Sequence, residues 1–225
     1  MRQWFPFTDY DFYGYLVSGS LALLLIDYVV NDAAFVFREN WTFVQIALAI
    51  FFSYVIGHLV AQFSAIVFEG WLARGILTPP SKILLGFKEA NTFEKFIGWL
   101  VGRYYAPFAP ETRKGLIAKA AEINNQRSED IVDAESVFQI AFAQIVASDK
   151  LRDRVEGFRN QYGFCRNISF VGLVSTIAIT IFAFCNPEMW LWAGVVLLAT
   201  LGMTIRFLKF YALFAAEVLR GLLVK

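Results

Sequence analysis

Apolar positions in this chain neither alternate nor keep to one helical face. They run together in four stretches, from about Gly14 to Val30, Thr42 to Phe68, Ile168 to Phe184 and Trp190 to Ile205. Each is close to the ~20 residues a helix needs to cross ~30 Å of hydrocarbon. A segment in lipid must satisfy its own backbone polar groups, so helix is the form predicted for all four. About a hundred residues, which carry most of the chain's charged side chains, separate the second stretch from the third. The pattern predicts an all-α membrane protein with four transmembrane helices in a two-plus-two arrangement and a helical domain inserted between the second and third. Residues 1–78 would hold an N-terminal interfacial segment and the first hairpin, 79–166 the inserted domain, and 167–225 the second hairpin and a C-terminal helix.

Composition sharpens this reading. Hydrophobic residues make up 58% and charged residues 17% of the chain, too apolar for an ordinary soluble domain, in which about a quarter of residues are charged. The net charge of +1 speaks against direct nucleic-acid binding, yet it hides an asymmetry. Most Lys and Arg lie between Arg74 and Arg166, whereas Asn31 to Trp41 carries only Arg38 and Asn186 to Met189 none. Counting positive charges places both termini and the inserted domain in the cytoplasm of a bacterial inner membrane, with the two short connections outside. No small-residue cleavage site follows the first apolar run, so it reads as a retained anchor rather than a signal peptide. Cys165 and Cys185, separated by about 30 Å of continuous helix, cannot pair with each other.

Within the second span, Ser53, Gly57, Ala61 and Ala65 make a continuous small face, and Gly14, Ser18 and Ala22 offer the same spacing in the first. Small residues four apart let helix backbones approach closely in lipid, which fits a tight hairpin or, as a rival use, contact between subunits. Beside that face runs a polar stripe of His58, Gln62 and Glu69. Polar groups at membrane depth are candidate functional positions. The stripe could line a conduction path or a ligand pocket; alternatively His58 and Gln62 bond hydroxyls such as Ser18 or Ser20 while Glu69 meets water. Asp27 would anchor the outer end of the first span, with Gln45 in reach.

The inserted segment predicts four helices. Thr78, Pro79 and Pro80 stop the second span. Asn91 and Glu94 form a capping box for a helix to about Tyr104, Pro110 opens one to Asn124, Asp133 caps one from Ala134 to Ala147, and Ser148 starts a fourth. The third of these is apolar on most of its circumference and too short to span. It is expected at the centre of a small core, against the Phe93, Phe96, Ile97 and Leu100 face and the membrane surface. In the fourth, Leu151, Val155, Phe158, Tyr162 and Cys165 recur in a heptad-like assembly seam directed into the third span, with Gly163 as the place to bend. Arg152, Arg154, Arg159 and Arg166 around it form a candidate basic docking face for an acidic partner or nucleotide signal, or pair with the interleaved Asp149, Asp153 and Glu156 and with anionic lipid.

Catalytic chemistry is not legible. No glycine-rich phosphate loop or nucleophile elbow occurs, and one histidine with two separated cysteines does not make a zinc site. The carboxylates Glu129, Asp130, Asp133 and Glu135 read as a helix start, where negative charge is favoured. No catalytic residue, cofactor or metal is therefore expected.

Three short motifs do carry a resemblance: Asp11 to Leu16 at the first span, Ile56 to Leu59 continuing to Ser64 and Glu69 at the second, and Tyr162 to Asn167 entering the third. In these the chain resembles a loosely defined group of bacterial four-span proteins, some associated with anti-phage defence. The resemblance covers the membrane parts; taken with the large insertion, the heptad-like seam and the polar stripe, it leads to the expectation of a homo-oligomeric inner-membrane sensor or effector whose cytoplasmic domain docks a soluble protein partner or a signal and biases the membrane part. A passive anchor for a soluble partner is the alternative reading. A small-solute transporter or lipid-directed enzyme would rest on the polar stripe alone.

Overall fold

The computed structural model describes residues 10–101, 106–125 and 133–223. Among them every regular element is helical, and four helices are long and apolar enough to cross a bilayer. Helix α1 occupies Asp11–Asn31, its first part, Asp11–Val17, wound in the wide i→i+5 pattern of a π-helix. Helix α2, Phe43–Ser64, opens on a reciprocal cap between Thr42 and Gln45 and continues in a second π-wound stretch, Ala65–Ile76. The prolines end it as expected, and Pro80 begins the short α3, Pro80–Leu84. Then follow α4 (Thr92–Val101), α5 (Pro110–Ile123), α6 (Ala134–Val146), α7 (Asp149–Ala183) and α8 (Met189–Gly221). The expected helix end at Tyr104 and the carboxylates Glu129 and Asp130 lie outside the described residues.

The last two helices exceed the apolar stretches that predicted them. α7 begins well before Ile168, absorbing the separate helix expected from Ser148, and α8 continues past Ile205 to Gly221. No proline interrupts either one, so the helical ladder has no reason to stop where hydropathy falls. Gly163 does not break α7; its missing side chain makes room for the Tyr10 ring.

By packing, the chain divides into two compact units, one of Met1–Gly70 with Gly163–Phe207 and one of Trp71–Tyr162 with Leu208–Lys225. In the first, α1 lies against α2 through glycines. A side chain on Gly19 would run into the Ser53 carbonyl, and one on Gly57 into the Tyr15 backbone. Ser53, Gly57, Ala61, Gly14 and Ser18 are all buried, so the small faces serve a hairpin within one chain. Phe63 stacks on Phe170 and Phe68 meets Phe207 edge-on, which adds α7 and α8 to the same unit.

The second unit has its own core. Val137, Ala141 and Ile145 of α6 are its fully buried centre, packed with Leu116 and Ala120 of α5, Val155 of α7 and Phe214, Val218 and Leu219 of α8. The expected packing of α4 against α6 is not found: Phe93, Phe96 and Leu100 are exposed and only Ile97 is buried. The extension of α8 takes that place: Phe214, Val218, Leu219 and Leu222 are buried in the core with α6, and the Phe214 ring meets those of Phe138 and Phe142. Leu151, Phe158 and Tyr162 pack onto this same core, with Tyr162 against Tyr211 and Phe214. The heptad row is thus occupied by its own chain instead of being left open for assembly.

Helix α4 is fixed at its start by Glu94. One carboxylate oxygen accepts the Asn91 N–H at 2.7 Å while Asn91 returns a bond to the Glu94 N–H at 2.8 Å; the other oxygen accepts the Thr78 N–H. Burial alone would raise the Glu94 pKa, but these hydrogen bonds and the charge of Lys88 outweigh it and hold the carboxyl below its ordinary value. A depressed folded-state pKa contributes stability that is fully present above the ordinary 4.5 and is lost as pH falls through the lower folded value. Thermal unfolding followed below neutral pH should therefore show a loss of stability that Glu94→Gln flattens, at a cost of about 1–3 kcal/mol near pH 7. An unchanged acid limb in the variant would show that the clamp contributes nothing.

Candidate functional site

Polar side chains are costly in an apolar helical bundle unless they satisfy one another. One group in the first unit does so across three helices. Arg166, on α7, is 8% exposed, and Ser64 and Asn167 are fully buried. The Arg166 guanidinium donates Nε to Ser64 Oγ at 3.0 Å and Nη2 to Asn167 Oδ1 at 3.2 Å, and forms an ion pair through Nη1 with Glu69. Ser64 donates to Asn167 Oδ1 at 2.6 Å. Asn167 Nδ2 then reaches the Gly14 carbonyl at 2.9 Å, the same oxygen that accepts the Ser18 hydroxyl at 2.6 Å. Nearly every donor is met, so the group is closed rather than an open path.

The π-wound stretches explain how these residues converge. In an α-helix each residue advances about 100°, which places His58, Gln62 and Glu69 on one stripe. Past Ala65 the winding is i→i+5, and a residue five positions on returns nearly to the same face. Glu69 follows Ser64 by five, and the two meet the same guanidinium. Wide turns of this kind are rare and concentrate at functional sites; here one carries Gly14 and the other Glu69.

The predicted stripe therefore does not hold together. His58 is exposed, stacked on Tyr15 at 4.0 Å between ring centroids and edge-on to Tyr54 at 4.7 Å. It does not bond Ser18 or Ser20, whose hydroxyls turn back to carbonyls of their own helix. Gln62 is exposed, and Glu69 is ion-paired instead of meeting water. Asp27 does not meet Gln45, which caps α2. Its carboxylate instead accepts the Val36 N–H at 2.9 Å, holding the turn in which Asp32 and Ala33 take left-handed φ values of 49° and 61°.

The basic face also separates. Arg166 is internal. Arg154 pairs with Glu217 of α8 at 3.0 Å, and Arg152 approaches Glu156 at 4.0 Å, while Arg159 is exposed. The Arg152–Glu156 contact follows the expected spacing of pairs along one helix, and the Asp149 side chain lies outside the described ones. Asn167 was missed as a site residue because an isolated Asn has no periodic signal, and Ser18 was read only as a member of the small row and a partner for His58. The signal that existed was grouping: Gly14, Ser64, Glu69, Arg166 and Asn167 come from the three motifs of the resemblance, and they meet at one place.

No group of His, Cys, Asp and Glu among the described residues could hold a metal ion. Set against family models, curated proteins and solved structures, the chain matches none. The fold defines a class, that of helical membrane proteins with four apolar helices of spanning length.

Proposed function

We propose that the chain is a homo-oligomeric sensor and effector of the bacterial inner membrane, acting in anti-phage defence. Four spans form two hairpins with both termini in the cytoplasm. The helical unit inserted between the second and third spans docks a soluble protein or signal and biases the membrane part toward permeability. The charge asymmetry of the connections supports the orientation. The exposed Phe93, Phe96 and Trp99 of α4 support a bilayer-surface position for the start of the inserted unit, since aromatic rings favour the interface.

One observation carries this reading: the buried Arg166 network joins α1, α2 and α7 at positions set by unusual helical winding. Burying an ion pair brings little net stability over apolar packing, and its best-attested use is to fix register or hold a switch. A network that holds three spans together while closed, and releases them when an input opens it, is the bistable element such an effector needs.

The test is membrane potential in cells expressing the chain with its neighbouring genes during a demonstrated defence response. Depolarisation is expected on the response, and Glu69→Gln, which weakens the closed network, should depolarise without the input at normal membrane insertion. Intact potential throughout the response would remove the effector role. If a chimera with foreign spans then kept full activity, the chain would be an anchor for its partner.

A further inference from the structure

The second unit contains a cleft of about 560 Å³ between the loop that follows α3, the inner side of α4 and the start of α5. Lys88, Lys95 and Arg113 line it together with Glu89 and Glu94. The acids offset this lining only in part, two carboxylates against three cations. Both oxygens of Glu94 are taken by backbone N–H groups, and Glu89 is exposed. Among the described residues, none forms an ion pair with Lys88, Lys95 or Arg113.

Arg113 is the informative residue. Its Nε is buried and has no hydrogen-bond partner, an expensive arrangement for a charged donor. Gly86, at a φ of 74°, faces the guanidinium so closely that any side chain there would strike Nη1. The backbone thus holds the planar group in place without giving it an acceptor. A fixed guanidinium fork matches the oxygens of a carboxylate or phosphate. Two further ammonium groups favour the species with more negative charge, and the volume lies in the range of small-molecule sites.

We propose that this cleft binds a phosphate-bearing anion, with Arg113 as the forked contact and Lys88 and Lys95 supplying additional charge. Both a soluble phosphorylated molecule and an anionic phospholipid headgroup have this chemistry. Binding here is independent of the effector function and is read without it.

The experiment uses the full chain in phosphatidylcholine nanodiscs, titrated with inorganic pyrophosphate by calorimetry at low salt. Saturable binding of one pyrophosphate per chain is expected, weakening as salt rises. Arg113→Gln should reduce affinity about tenfold or more. The Lys88→Gln/Lys95→Gln variant, which changes only exposed side chains, should reduce it as well, with the chain still folded and only the small loss of melting temperature that removing the Lys88 charge beside Glu94 brings. Repeating the titration with phosphatidylglycerol in the disc identifies the source. Competitive loss of pyrophosphate binding assigns the cleft to the lipid headgroup, and undiminished binding assigns it to a soluble phosphate. Absence of saturable binding in phosphatidylcholine discs overturns the proposal, as does equal affinity in the wild type and the double lysine variant.

Discussion

Arg166→Met is expected to destabilise the folded protein by about 3–5 kcal/mol, because it leaves Glu69 as an uncompensated, largely shielded charge. The pair is enclosed, with side chains only 10% and 19% exposed. Glu69→Leu should cost a similar amount by stranding the guanidinium. The double variant Arg166→Met/Glu69→Leu should recover most of the loss, since replacing both members of a buried pair by apolar groups is often neutral or stabilising. Ser64 and Asn167 remain bonded to each other in it, as they are now at 2.6 Å. Unfolding in mixed micelles would measure all three, and strictly additive losses would show that the two side chains do not interact. Recovered stability without recovered dependence of depolarisation on the input would separate a switching role for the pair from a merely structural one.

Gly19→Ala should be nearly as damaging despite adding a single methyl group. The new carbon would overlap the Ser53 carbonyl, and a backbone atom in a helix cannot step aside as a flexible side chain can. The helices must part, so a cost of about 1–3 kcal/mol or more is expected, with loss of monodisperse protein on size exclusion. Gly57→Ala, which strikes the Tyr15 backbone, should behave alike. Gly194→Ala and Gly202→Ala provide the contrast, because nothing lies within 4 Å of either new carbon. Relieved of glycine's backbone entropy, they should be neutral or gain up to about 1 kcal/mol. Equal behaviour of all four would mean that the α1–α2 contact does not depend on close approach.

Some of this was legible in advance. The caps at Asn91 and Asp133 and the stop at Pro79 and Pro80 depend on groups a few residues apart, and local chemistry is written locally. The small face of α2 follows from a repeat of four within one helix. Its partner was less legible: the closest approach falls at Gly19, outside the Gly14, Ser18, Ala22 row, because contact depends on where two helices cross.

Four apolar helices of spanning length and the helix starts were thus determined by the sequence itself, since hydrocarbon thickness and backbone hydrogen bonding leave few alternatives for runs of that length and composition. Tertiary structure decided three other matters: that the end of α8 rather than α4 covers α6, that the heptad row turns inward, and that Arg166 leaves the basic face to meet Glu69. The first two are competitions between apolar surfaces far apart in sequence, settled by which of them the chain brings together in space. The third depends on a change of helical winding at Ala65. An assumed 3.6-residue repeat gives the wrong azimuth for every residue beyond such a change, so Glu69 could be placed only once the turn itself was seen.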